Sequence, residues 1–143
     1  MSELTAADVF ITTRLKADAT LTALIGGAVS PRIYADVAPT GVAFPLIVFQ
    51  TMASSDLMVI GSARVWSNLL ILCRGIAETS SWMGTLGQIE SKIDAALHST
   101  EGVNLNGIVY SCVREQPYRL AETSDGRVFR HSGGLYRIYA KAA

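Results

Sequence analysis

Strand-like segments arranged in hairpins around one amphipathic helix predict an α+β domain: an antiparallel or mixed sheet of about four or five strands with helices packed on one face. Three observations lead there. Apolar runs of strand character arrive in pairs separated by turn residues, without the repeating βαβ alternation of a parallel sheet. One segment, Ser81 to His98, carries Trp82, Leu86, Ile89, Ile93 and Leu97 at helical spacing, a single apolar stripe able to lie across a sheet. Finally, 143 residues can bury a core without disulfides or metals and leave little room for a second domain. Residues 1–143 are therefore expected to form one domain.

The elements follow in order. Thr5-Ala6-Ala7-Asp8 has the spacing of a capping box, flanked by Leu4 and Val9 as a hydrophobic staple, and predicts a helix from about Ala6 to Ala17. Asp18 can cap a second short helix carrying Leu21, Leu24 and Ile25, which Gly26 and Gly27 end. Arg32 to Val37 reads as a short strand and Ala38 to Pro45 as a loop, because its prolines and glycine remove a donor and permit unusual dihedrals.

Leu46 to Ala53 and Val65 to Ile76 are strongly strand-like. Leu69 to Leu72 is apolar without interruption, so that strand is expected at the centre of the sheet with both faces covered. The connection between them includes Leu57, Met58, Val59 and Ile60. It is too long for a tight hairpin and too apolar for a solvent loop, so it should pack against something: the parent domain, as a strand extension or flap, or another subunit.

Ser80 or Ser81 can cap the amphipathic helix. Gly84 and Gly87 each lower its intrinsic stability by roughly 1 kcal/mol relative to alanine, so either the helix begins late or the sheet approaches closely there; close packing is the favoured expectation. Asn106-Gly107 signals a turn into a strand from Ile108 to about Leu120. A polar tip from Glu122 to Arg127 then leads to a return strand from Val128 to Lys141. In that strand Tyr136 and Ile138 should face the core and Arg137 and Tyr139 the other side, while Gly133-Gly134 marks an expected bulge or bend.

Composition narrows function. Lys plus Arg and Asp plus Glu balance at 12 each, removing the basic excess that phosphate-backbone binding needs. Half the residues are hydrophobic and only 17% charged, a charge-poor surface that suits contact with other subunits. The N-terminus lacks the pattern of a signal peptide and no run approaches a bilayer span, so folding in the cytosol is expected. Cys73 and Cys112 sit in apolar strand-like segments and read as buried, reduced thiols.

No cofactor or metal site is expected, and an enzyme is the weakest reading. No phosphate-loop or dinucleotide motif occurs. His98 sits at a helix end, where it can satisfy terminal carbonyls, and His131 sits in a strand beside Arg130, so each reads as a structural or surface residue and not as a catalytic base. Arg114, Arg119, Arg127, Arg130 and Arg137 make the last hairpin locally basic, either as a solvated or ion-paired face or as a contact for an acidic neighbour.

One arrangement is more specific. A short helix stopped by Gly26-Gly27, a strand opening on Arg32-Ile33-Tyr34, a proline-glycine loop, a second strand launched by Phe44-Pro45, a helix from about Ser81 to His98, and a closing hairpin with Asp125-Gly126-Arg127 and His131 resemble the tail-completion, or tail-terminator, family of long-tailed bacteriophages. That resemblance implies a structural virion protein at the neck of the tail, assembled in the host cytoplasm. Six copies would form a ring that caps the tail tube, halts tube-protein addition and joins the head-completion proteins, with genome DNA passing through unbound. On exposure grounds, the expected contacts with subunits or tube are Leu57, Met58, Val59, Ile60, Glu122, Asp125 and Arg127. The alternative is a small-ligand-binding or regulatory domain with the apolar connection as a lid.

Overall fold

The structure, a computed structural model, describes residues 2–143. It opens with two helices, α1 (Glu3–Lys16) and α2 (Ala19–Leu24), then strands β1 (Ile33–Ala35), β2 (Leu46–Met58) and β3 (Arg64–Glu78). Helix α3 (Thr85–Leu97) precedes β4 (Thr100–Asn104), β5 (Gly107–Ser124) and β6 (Arg127–Ala142). Among the described residues the strands form one six-stranded sheet in the order β1-β2-β3-β6-β5-β4. β1 pairs parallel to β2 and every other neighbour is antiparallel.

The α+β class and mixed sheet agree with the sequence reading, but the strand count is six, above the four or five expected. The additional strand is β4, Thr-Glu-Gly-Val-Asn, too short and glycine-broken to show a period-two pattern; it is held through pairing with β5 across Asn104 and Gly107. Several boundaries also move. α1 starts before the anticipated capping box: Ser2 is its cap, Ser2 Oγ accepting from Thr5 N at 3.2 Å. Thr5 and Asp8 lie inside the helix.

Asp18 caps α2 as expected, its Oδ1 accepting from Thr20 N at 2.9 Å and Leu21 N at 3.1 Å. α3 begins late, after Gly84 at φ +75°. Ser81 makes a local turn instead, accepting from Met83 N at 3.1 Å, and Trp82 lies before the helix. The close approach expected at Gly84 and Gly87 falls on the sheet side: a Cβ on Gly75 would sit 2.5 Å from Ile89 Cγ2.

The helices cover one face. Phe10, Ile11 and Leu15 of α1 and Ile89, Ile93 and Leu97 of α3 pack on Phe49, Leu69, Ile71, Cys73, Tyr136 and Ile138 in one core. Each such residue, fully buried, contributes about 1.5–3 kcal/mol relative to exposure. Arg14 Nε donates to Ala96 O at 3.1 Å, satisfying a carbonyl at the α3 C-terminus. The apolar run of β3 is buried on both faces in part, since Leu72 is as covered as Leu69 and Ile71. At the far end of β3, Phe44 of the segment before β2 packs on Phe129, ring centroids 5.0 Å apart and planes tilted by 49°.

Gly133 and Gly134 do not mark a bulge, for their ladder to β3 is unbroken. A side chain on Gly133 would collide with the Cys73 carbonyl, and one on Gly134 would reach within 2.7 Å of Arg114 Cδ. Within the β5–β6 pair the bulges lie in β5 instead, at Tyr110 and Glu115. Arg137 pins the second bulge: its Nε and Nη2 donate to the Glu115 carboxylate at 3.0 and 3.1 Å, and its Nη1 donates to Asn68 at 2.8 Å.

Candidate assembly surfaces

The long β2–β3 hairpin is where the structure departs furthest from a compact loop. Ser54 to Met58 continue β2 instead of forming a connection, and the turn is short: Val59 N donates to Ala63 O at 2.9 Å and Ser62 N to Val59 O at 3.1 Å. Gly61 and Ser62 take positive φ values of 94° and 65°. The strand extension among the alternatives is therefore the one seen: pairing runs out to Leu57↔Trp66 and Met58↔Arg64, and the connection itself is shorter than expected. Leu57, Met58 and Val59 are about half exposed and Ile60 is fully exposed. In the isolated chain about half of the surface of Leu57, Met58 and Val59 and all of Ile60 is left to solvent.

The hairpin's root is anchored. Asp56 Oδ1 accepts from Ser67 Oγ at 2.5 Å, and Arg64 contacts Asp56 at 3.5 Å and the buried Glu3 of α1 at 3.0 Å. The Ser67 hydrogen bond, aided by Arg64, holds the Asp56 carboxyl below the usual carboxylate range. Beyond the root, Trp66 meets Tyr110 and Tyr139 edge-on at 6.2 and 6.3 Å.

The β5–β6 hairpin has a different character. Asp125 and Gly126 form a two-residue turn with φ of 51° and 76°, the positive pair that matches the strand twist. Arg127 makes a two-pronged ion pair with Glu78, one prong at 2.9 Å, and lies 5.1 Å over the Phe129 ring. Glu122 Oε1 is 2.7 Å from Nε2 of the buried His131. Of the three polar residues expected as contacts here, Glu122 and Arg127 thus hold partners within the chain and Asp125 shapes the turn.

The arginines of this hairpin resolve as an internally paired set. Arg114 lies 3.6 Å from Asp94, Arg119 lies 3.6 Å from Glu90, and Arg137 pairs with Glu115. Arg119 and Arg130 sit over the Trp82 ring at 5.0 and 4.8 Å. Sequence reasoning missed this cluster because it assigned Trp82 to the helix stripe. Its only cue was an aromatic just ahead of two helix-weakening glycines.

Residues of reactive type are occupied structurally. Burial pushes the Cys112 thiol up to about 12 and raises Cys73 further, so neither forms thiolate readily. His98 Nδ1 accepts from Arg114 N at 3.0 Å; it serves a strand edge, not the helix carbonyls. Tyr136 donates to Asp94 at 3.1 Å, and its hydroxyl is raised chiefly by burial. Among the described residues no group of three His, Cys, Asp or Glu side chains could hold a metal. One open groove is lined by Gly41, Phe44, Pro45, Glu78, Met83 and Arg127; the β2–β3 tip, not among its lining residues, does not cover it.

The family model described as "Tail completion protein gp17" matches residues 10–132, a span that runs from the second half of α1 through α2, α3, the β2–β3 hairpin and the Asp125–Gly126 turn into the start of β6. The chain belongs to that tail completion family. It is accordingly a structural tail protein. No curated protein matches its sequence. Five chains in solved structures do match, among them one from the "Virion of native gene transfer agent (GTA) particle", with 15% identity, a TM-score of 0.78, and coverage of 99% of this chain and 98% of that one. At that identity the likeness shows a shared fold.

Proposed function

We propose that this tail completion protein acts, as one domain, in a ring of six copies that caps the end of a tail tube. The ring halts addition of tube protein and presents its far face to the head-completion proteins at the neck, with the genome passing through its centre unbound. Its role is assembly, not catalysis. The observation that carries the reading is the family match across residues 10–132. The fold shared with a chain of a gene transfer agent virion and the uncovered apolar tip Leu57–Ile60 support it.

The mechanism follows from incomplete edges. A subunit with unsatisfied borders gains stability only when neighbours complete them, and head-to-tail contacts close into a ring when the rotation between copies closes. A closed ring then offers a different upper surface from a growing tube, so polymerisation stops for steric reasons. Leu57, Met58, Val59 and Ile60 contact a neighbouring subunit or the tube, and Glu122, Asp125 and Arg127 form a second, polar contact.

The test is electron microscopy of tails assembled in cells lacking this protein. Unterminated tubes of irregular length, restored to uniform length and joined to heads on complementation, are the expected result. Capped, uniform tails joined to full heads in its absence would end the proposal.

A further inference from the structure

The sheet has two free edges, and they are complementary. β1 covers β2 only along Ile47 to Phe49, leaving the edge from Thr51 to Met58 unpaired. β4 covers β5 only as far as Cys112, leaving Val113 to Ser124 unpaired. These edges lie on opposite sides and at opposite ends of the sheet. Three successive antiparallel pairings separate β2 from β5, so the two strands run in opposite directions. A second copy placed alongside in the same orientation therefore meets the first with antiparallel strands.

The backbone groups that face outward can be identified. On β2, Ile47 N donates to Arg32 O and Phe49 O accepts from Asp36 N, so odd residues point to the free side. The register shift between Thr51 and Ala53 inserts one residue and passes that role to Ser54 and Asp56. On β5, the two-residue turn makes Ser124 and Arg127 a hydrogen-bonded pair. Counting back, Thr123, Ala121, Arg119 and Pro117 face outward.

Part of the β5 edge is closed. Arg114 N already donates to His98 Nδ1 at 3.0 Å, and Pro117 has no N–H to give. The stretch from Arg119 to Thr123 remains open, about as long as the open stretch of β2. β2 has no such device: from Gln50 to Met58 it holds no proline, lysine or arginine, the residues that ordinarily blunt an edge.

We propose that the free edge of β2 pairs with the free edge of β5 from a second copy, Asp56 opposite Arg119 and Ser54 opposite Ala121, making one sheet continuous from subunit to subunit. This rests on the ring reading and names its joint. Charge selects the register: Asp56 and Arg119 are both substantially exposed and would face one another on the helix side of the sheet. On the other face Leu57 meets Tyr118 and Ser55 meets Leu120, which is itself exposed. A two-residue slip one way sets Asp56 against Ala121, and the other way sets it against the donorless Pro117. The same placement brings the Asp125 turn of one copy beside the end of β1 in the next.

The test is a disulfide across a non-hydrogen-bonded pair, where side chains are closest. Full-length protein carrying Ser55→Cys and Leu120→Cys is oxidised while bound to tail tubes, with each single variant and the slipped pairs Ser55→Cys/Tyr118→Cys and Ser55→Cys/Glu122→Cys in parallel. The native thiols are buried. Covalent multimers should exceed those of the other variants by about tenfold, because joined edges hold the two thiols at high effective concentration. Rings visible on tubes without that enrichment would overturn the joint while sparing the ring. Unmodified protein that forms no ring at all would remove both.

Discussion

The two long hairpins are built from strands of similar length in one sheet, yet their tips are opposites. The β5–β6 tip is held by its own chain: Arg127 grips Glu78, Phe129 stacks on Phe44, and Glu122 reaches His131. The β2–β3 tip is anchored at its root, through Asp56, Ser67, Arg64 and Glu3 on one face and Trp66 against Tyr110 and Tyr139 on the other, while Leu57 to Ile60 are half to fully exposed. A hairpin whose tip is satisfied internally adds stability to the fold. One whose apolar tip is left open adds little to the isolated chain and acquires its value on contact.

The contrast breaks first at Gly133. Any side chain there meets the Cys73 carbonyl, so Gly133→Val forces β6 away from β3 at the root of the β5–β6 hairpin. The expected cost is about 3 kcal/mol or more, read as failed folding or a large fall in the urea midpoint. The matching change on the other hairpin, Leu57→Asp with Met58→Asp, should leave the unfolding free energy within about 0.5 kcal/mol but abolish ring formation on tubes. Native mass spectrometry and electron microscopy read the second result. Normal assembly by that variant would show that the open tip is not a contact.

An intermediate effect is expected at Phe44. Its stack on Phe129 contributes about 0.5–1.5 kcal/mol beyond simple burial, so Phe44→Ala should lower unfolding free energy by about 1–2 kcal/mol in total. A double-mutant cycle with Phe129→Ala isolates the pair, and zero coupling would mean that the loop before β2 does not hold the β5–β6 hairpin.

What the sequence made legible tracks local chemistry. Asp18 as a cap, the glycine pair after α2, the Asp125-Gly126 turn and the alternation of Tyr136 and Ile138 with Arg137 and Tyr139 all report on neighbours a few residues away, and each appears in the structure. The misses required distant partners. β4 exists because β5 is beside it. Gly133 is glycine because β3 passes close, and Trp82 leaves the helix to lie beneath Arg119 and Arg130. At the candidate surface, the apolar character of Leu57 to Ile60 was readable from composition. That it forms a projecting hairpin was not, since pairing with β3 decides it.

The smallest expected effect separates the hairpins by pH. Two hydrogen bonds from Arg127, outweighing slight burial, hold the Glu78 carboxyl below its ordinary value of 4.5. A carboxyl depressed in the folded state contributes stability that is fully present above its unfolded value and is lost as pH falls through the folded one. Both groups are well exposed to solvent, so screening keeps the contribution small. Glu78→Gln should therefore lower stability slightly near neutrality and flatten its decline below about pH 4.5, as read from urea midpoints across an acid series. Asp56→Asn should do the same for the β2–β3 root, where Ser67 supplies the larger share. Because the two carboxylates sit at opposite ends of the β2–β3 ladder, Glu78 bound to Arg127 of the β5–β6 tip and Asp56 to Ser67, their effects should add in the double variant; a non-additive result would mean that the two ends communicate through the sheet.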